Sequence, residues 1–429
     1  MPVLCEHPNR LMISKLISSV ALLMMLACSV AAQDPFSDLY VFGDSLSDMG
    51  NLSAVTLGIQ PGNRYHEGRF SNGPVYSELL AAKLGIDDFE RSTRDGNNYA
   101  YAGGRTSGTS FFEGGFLIRD LDDQIDNYLD DRTVDPGALY VVLAGGNDFV
   151  LGDQTDAAVP AIRVGAEINR LVDAGVKHVL SINLPLLGLT PRFTTDVEDY
   201  NNRSRTFNEV LRMELDELAS SSDASFYLFD LESTFEMLTF VPSAFGFTNT
   251  TEPGIDEEDA DGFLYWDDVH PTTEAHELLA AAAFSLFDDE HKPGDLNFNA
   301  SLDTHDVDVL SYGVANDWDL PSLDHNNDSS LNTDDVSLLL EQANKLNGDL
   351  DFDGEVSFQD FLQLARNFDE TESTLWSSGD FDSDGTVQFS DFLILARNFG
   401  KSTVVATPEP SSSSLLLVFG CLAFMSLRR

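Results

Sequence analysis

Leu39-Tyr-Val-Phe-Gly43-Asp-Ser45-Leu-Ser-Asp-Met-Gly-Asn51 is the stretch from which the rest of the chain is read. Its first five residues are apolar and end on glycine, and a cluster of small polar residues follows at once. Such a run reads as a strand buried on both faces, and the cluster as the loop leaving its carboxyl end. The pattern recurs in short apolar runs at Asn98–Tyr101, Leu139–Ala144, Lys177–Asn183 and Ser225–Asp230. Between and after them lie helical patterns at Val75–Leu84, Leu121–Leu129, Ala161–Ala174, Asn202–Ala219 and Thr272–Leu286. Short strands alternating with longer helices predict an α/β domain over residues 34–291, with a parallel sheet covered by helices on both faces.

In open parallel sheets, functional groups collect on the loops that leave the carboxyl ends of strands. Ser45 follows the first strand, Gly103 and Gly104 the second, and Gly145-Gly-Asn147-Asp148 the third. Trp266-Asp267-Asp-Val-His270-Pro271 enters the last helix and places a carboxylate three residues before an imidazole. A serine hydroxyl is a weak nucleophile until a base removes its proton, so serine, imidazole and carboxylate together make the parts of an acyl-transfer site. Each block has a plainer reading alone: Gly-Asp-Ser as a helix cap, Asn147-Asp148 as a turn, His270 as a helix start. Their conjunction at one sheet edge favours the chemical reading.

In their order and spacing the four blocks resemble those of the GDSL esterases and lipases, also called SGNH hydrolases. Phe42-Gly-Asp-Ser45 and Gly68-Arg-Phe-Ser-Asn-Gly73 are similar to the branch containing secreted lipases and acyltransferases. The resemblance spans the first domain and implies a three-layer α/β/α, flavodoxin-like fold. It implies Ser45 as nucleophile, His270 as base and Asp267 as the group that orients the imidazole. An oxyanion hole would be formed by the Ser45 and Gly103 backbone N–H groups and the Asn147 amide, with Gly104 the alternative if the register slips by one. The implied activity is hydrolysis of a lipid, a small ester or an acetylated glycan through an acyl-serine, with no catalytic cofactor. Two alternatives stay open: an acyltransferase using the same site, and a calcium-dependent surface-binding protein with a degenerate hydrolase domain.

The formal charge is −48, from 72 acidic and 24 basic residues. Binding to nucleic acid is excluded, because it depends on Lys and Arg displacing counterions from phosphates. The acidity is densest after Gly294, where four segments place oxygen ligands at the first, third, fifth and twelfth positions of a calcium loop. They are Asp295-Asn297-Asn299-Asp306, Asp324-Asn326-Asp328-Asp335, Asp349-Asp351-Asp353-Asp360 and Asp380-Asp382-Asp384-Asp391. Glycine fills the sixth place at Gly354 and Gly385, whereas Ala300 and Ser329 replace it in the first two loops. Phe361-Leu-Gln-Leu-Ala-Arg-Asn-Phe368 is nearly repeated at Phe392-Leu-Ile-Leu-Ala-Arg-Asn-Phe399, the mark of an internal duplication. Loops followed by helices and taken in pairs resemble type I dockerin modules, here 294–346 and 347–400. Structural Ca2+ is the implied ion, and the pairs would either bind a cohesin-like protein or serve as spacers.

The ends read as addresses. Lys15 and the apolar run Leu16 to Val30 predict a signal peptide over 1–32, with Leu26-Ala27-Cys28 a weak lipoprotein signal. A linker, 401–414, carries Pro408-Glu-Pro410, and the apolar tail 415–429 ends in Arg428-Arg429, a pattern that resembles the PEP-CTERM sorting signal. The resemblance implies export to the cell surface or beyond and a membrane sorting enzyme as partner, with a short membrane anchor as the alternative. Finally, Phe240 to Leu264 is long for a loop; either Phe245 and Phe247, with Phe111-Phe112, form an apolar wall or lid that selects the acyl group, or the segment is a mobile surface excursion.

Overall fold

The computed structural model describes residues 36–403 apart from 113–114, 152–153, 319 and 372–374. The expected signal peptide and sorting tail lie outside the described residues. Four parallel strands, β1 (Leu39–Gly43), β4 (Leu139–Leu143), β5 (His178–Ile182) and β6 (Ser225–Phe229), form the central sheet in the order β1-β4-β5-β6. Two further pairs flank it: the antiparallel hairpin β2 (Ser110–Phe112) and β3 (Phe116–Ile118), and the parallel pair β7 (Asn249–Pro253) and β8 (Phe263–Tyr265). Every residue of β1 and β4 is buried. Helices cover both faces, so these strands are unbroken apolar runs rather than alternating ones. The helix Tyr76–Lys83 packs on Thr273–Ser285, and Ala158–Asp173 packs on Val197–Ser221.

The expected strand Asn98–Tyr101 is corrected in kind. It runs parallel beside β1, with Tyr99 N–H donating to the Val41 carbonyl (2.7 Å) and Tyr101 N–H to that of Gly43 (3.1 Å), yet it forms only isolated bridges, from Asn98 to Val41 and to Arg91. Asn98 spends its side chain locally, donating to the Ser47 carbonyl (2.7 Å) and accepting from Ala100 N–H (3.1 Å). Such bonds compete with a regular ladder. Because this segment and β4 lie on opposite sides of β1, the strand order reverses at β1, which puts the crevice of an open sheet beside Ser45.

Residues 295–400 build a second core. Its helices, Thr304–Ala315, Thr333–Gln342, Phe358–Arg366 and Phe389–Asn398, each begin on a capping box whose acid is Asp306, Asp335, Asp360 or Asp391. The expected twelfth ligands thus also satisfy free N–H groups at the helix starts. Ser377 N–H donates to Asp308 (2.7 Å), and the Ser311 and Ser383 hydroxyls pair at 2.8 Å, joining the first helical pair to the second.

Two expectations fail here. The C-terminal unit is not a free spacer, since its core includes Met237, Val241 and Ala244 of the first domain. The segment after Phe240 is no open lid either: it contains a short helix, Pro242–Phe245, and the pair β7–β8. Phe247 is buried in the main core, and Phe245 is half-buried between the two cores. Both side chains gain more from burial than from facing solvent, which the length of the segment did not reveal. Among the described residues no helix is long and apolar enough to cross a membrane.

Candidate active site

Ser45 sits two residues beyond β1, on a turn made possible by Gly43. A Cβ there would lie 2.3 Å from the Leu143 carbonyl oxygen, so only glycine lets β1 and β4 approach this closely. The turn is held by Asp48, whose buried carboxylate accepts from the N–H groups of Gly50 (2.7 Å), Asn51 (2.5 Å), Leu52 (3.1 Å) and Ala102 (2.9 Å). The Asn51 amide donates to the carbonyls of Asn98 (2.8 Å) and Ala100 (3.0 Å). The residues after Ser45 therefore fix the position of the second loop relative to the first.

The loop entering the last helix brings His270 across the sheet edge. Its Nε2 lies 2.8 Å from Ser45 Oγ, and its Nδ1 lies 2.7 and 2.9 Å from the two oxygens of Asp267. Asp267 Oδ1 also accepts from the N–H groups of Val269 (2.8 Å) and His270 (2.7 Å), and Oδ2 accepts from the Tyr65 hydroxyl (2.8 Å). Burial alone would raise the Asp267 pKa, but the imidazole and these hydrogen bonds outweigh it and hold the carboxyl well below its ordinary range. Burial alone would lower His270, yet the Asp267 carboxylate leaves it above the usual histidine value. Asp44 next to the serine is pushed up to about 6 by burial, partly offset by its own hydrogen bonds and by His270.

The facing loops supply donors. Gly103 is buried with φ +81°, a conformation that favours glycine, and neither its N–H nor that of Ser45 has a hydrogen-bond partner among the described residues. Gly104 is the poorer candidate, because its N–H is spent on the Tyr101 carbonyl (2.9 Å). Asn147 follows Gly145, where φ is +124° and a Cβ would meet the Phe207 ring at 2.5 Å. The Asn147 amide donates to the Gly104 carbonyl (3.0 Å), and Asp148 accepts from Thr106 N–H (2.9 Å) and its hydroxyl (2.8 Å). The second and third loops are thereby locked together.

Ser45, Asn147 and His270 open into one cleft walled by Leu46, Val150, Leu184, Leu187 and Phe235. Gly103 is not among the lining residues; a Cβ built on it would lie 3.0 Å from Ile118 of β3. Phe111, Phe245 and Phe247 are not among the lining residues, so the expected lid does not form the wall. Sequence reasoning missed Tyr65 and the leucine wall. Leu46 lies inside the Gly43-Asp-Ser45-Leu46 block, but no motif marks Tyr65, Leu184 or Leu187.

The acidic loops repeat one conformation, with positive φ at the fourth place (Phe298, Asn327, Phe352, Ser383) and at the sixth (Ala300, Ser329, Gly354, Gly385). Carboxylate oxygens of Asp349, Asp351 and Asp353, and of Asp380, Asp382 and Asp384, lie within 4.8 Å of one another. Asp349 Oδ1 and Asp382 Oδ1 are buried without a hydrogen-bond partner among the described residues. A hard divalent cation suits such oxygens. In the first loop Asp295 and Asn297 are buried, Asn299 donates to Asp303 (2.8 Å) and the Asn297 amide reaches the Ala244 carbonyl (3.4 Å). In the second loop Asp324 accepts from Asp328 and Ser329 N–H groups, and Asn326 from Asp328.

Residues 39–283 match the family model described as GDSL-like Lipase/Acylhydrolase. The chain is 26% identical over 333 residues to a phosphatidylcholine-sterol acyltransferase of Aeromonas hydrophila, covering 64% of this chain and 97% of that protein. It is 30% identical over 328 residues to esterase EstA of Pseudomonas aeruginosa, covering 65% of this chain and 51% of that protein, about half its length. An acetyl xylan esterase of known structure aligns at 17% identity and a TM-score of 0.36, over 58% of this chain and 100% of its own. With the match running from β1 through the His270 loop, the chain belongs to the GDSL-like lipase/acylhydrolase family of carboxylic ester hydrolases.

Proposed function

We propose that the protein hydrolyses carboxylic esters through an acyl-serine intermediate on Ser45. The observation that carries this reading is the continuous path from Ser45 Oγ through His270 to Asp267, with the Ser45 backbone N–H itself unspent at the serine end. His270 Nε2 takes the Ser45 proton as Oγ attacks the carbonyl carbon, then returns it to the departing alkoxide. Asp267 keeps the proton on Nδ1 and stabilises the imidazolium. The oxyanion is met by the Ser45 and Gly103 N–H groups and the Asn147 amide, each contributing about 3 kcal/mol to the barrier reduction. Water activated by His270 releases the acid. The apolar cleft suits the acyl chain of a lipid or small ester better than a bare glycan.

The test is a panel of nitrophenyl acyl esters and acetylated glycans turned over by the protein and by Ser45→Ala. Equal turnover by both would overturn the reading. An acyltransferase is the second reading, favoured by the likeness to the Aeromonas acyltransferase over nearly its whole length. Offering an alcohol beside water and analysing the products separates the two.

For the C-terminal loops the proposal is structural Ca2+, held by Asp349, Asp351, Asp353 and Asp360 and by Asp380, Asp382, Asp384 and Asp391. The clustered oxygens and the two unpartnered buried ones support it. The ion would neutralise the acidic loops and hold them folded. Export through the N-terminal segment and sorting through the Pro-Glu-Pro tail complete the proposal.

A further inference from the structure

Asp267 has two oxygens that are not equally supplied. Oδ1 accepts from the backbone N–H groups of Val269 and His270, both fixed by the loop itself. Oδ2 faces His270 Nδ1 at 2.7 Å, and its other donor is the Tyr65 hydroxyl at 2.8 Å. Tyr65 arrives from a segment 202 residues away in sequence. Arg64 beside it is anchored to the loop preceding Asp267, donating to Asp256 Oδ1 at 2.6 Å and to the Ile255 carbonyl. The Tyr65 ring packs against Phe70 with centroids 5.6 Å apart, and Phe70 packs against the His270 imidazole at 4.9 Å. Hydroxyl and ring thus reach the two partners of one hydrogen bond by separate routes.

We infer that Tyr65 is a positioning residue for this site: its hydroxyl sets the plane of the Asp267 carboxylate, and its ring, through Phe70, supports the face of His270. The inference rests on the proposed roles of Ser45, His270 and Asp267 and adds a group outside the recognised blocks. Without the phenol, Oδ2 would be held only through His270 itself, so the carboxylate would be less tightly fixed about its Cβ–Cγ bond and its grip on Nδ1–H weaker. The phenol closes that freedom. It also draws charge from Oδ2 and so limits how strongly the carboxylate holds the imidazolium. The other charged groups facing the imidazole are Asp44 on the loop after β1 and Asp268, itself paired with Arg192 at 3.2 Å. His276, on the following helix, is buried and held far below the usual histidine range, so it adds no positive charge near neutral pH.

Tyr65→Phe removes the hydroxyl and keeps the ring. On a soluble nitrophenyl ester, kcat should fall about tenfold with KM within about twofold, because orientation rather than substrate binding is lost. The acid limb of the pH profile should move to higher pH, since an unrelieved carboxylate raises the imidazole pKa. By proton NMR, the low-field Nδ1–H resonance should move with it. If the folded variant keeps the parent kcat, pH limb and resonance while Ser45→Ala is inactive, the Tyr65 role is overturned and the serine mechanism stands. If Ser45→Ala itself retains turnover, the mechanism fails first. Should Tyr65→Phe not fold, 3-fluorotyrosine at position 65 keeps the shape and strengthens the donor. It should move the limb to lower pH, and an unmoved limb would equally overturn the role.

Discussion

Phe235 and Met237 stand two residues apart on the helix Leu231–Phe240, yet Phe235 walls the active-site cleft and Met237 is buried in the C-terminal core. One rigid element therefore belongs to both units. Ca2+ bound in the acidic loops would stabilise the C-terminal core and, through this helix, the cleft wall. Each site held at about one hundred times its Kd would contribute about 2.7 kcal/mol. Adding Ca2+ to the chelated chain is expected to raise its melting temperature by several degrees, at roughly 1 °C per kcal/mol for a chain of this size, and to lower KM for longer acyl esters. A melting curve indifferent to chelator would remove the metal from the account.

Asn147 is aimed by two locks, the Gly104 carbonyl it donates to and the Asp148–Thr106 pair beside it. Asn147 lines the cleft shared with Ser45. Asn147→Ala should lower kcat by about 10²–10³ with little change in KM, as for any donor that acts on developing charge. Gly145→Ala should act similarly from a distance, because the new methyl group would collide with Phe207 and displace the loop. Steady-state kinetics on one ester decides both, and a loss confined to KM would argue against an oxyanion role.

The sheet was legible because β1 and β4 are buried throughout and stand in the sequence as unbroken apolar runs, while β5 and the less buried edge strand β6 are still short, largely apolar runs; all four fall within the segments read that way. The residues around Ser45, Gly103, Asn147 and His270 were legible because small polar and glycine-rich blocks directly after apolar runs stand out along the chain. Asn98–Tyr101 looked like a full strand because nothing local reveals that Asn98 will turn its amide to Ser47. Tyr65 was invisible, since its partner is 202 residues away and its loop has no period. The docking of residues 295–400 on Met237, Val241 and Ala244 was hidden likewise, because an apolar helix position does not name its neighbour.

Acyl selectivity should follow the wall that forms the cleft and not the phenylalanines of the long connection. Leu184→Trp, at a lining position, is expected to shift preference towards short acyl chains by filling the cleft. Phe247→Ala should instead cost about 3–5 kcal/mol of stability, as expected for emptying a buried ring site, and leave chain-length preference as it was. Relative kcat/KM across a series of acyl chain lengths, with melting temperatures alongside, separates the outcomes. A selectivity change in Phe247→Ala at unchanged stability would restore the lid.

The pH dependence follows from the His270–Asp267 pair, and its sign is fixed. The base works as neutral imidazole, so kcat/KM must rise with pH through the His270 pKa. Burial pulls that pKa down, but the Asp267 carboxylate outweighs it, so the acid limb should lie above the ordinary histidine value. Asp267→Asn removes the charge that does the raising. Its limb should move to lower pH, while kcat falls on the order of 10⁴-fold because the amide no longer holds the required tautomer. Asp44, titrating near 6, adds a smaller contribution: as it protonates, the imidazolium loses a neighbouring negative charge. In Asp44→Asn the acid limb should therefore move down by less than in Asp267→Asn. Should the two variants shift it equally, or Asp267→Asn leave it in place, the assignment of Asp267 as the partner of His270 fails.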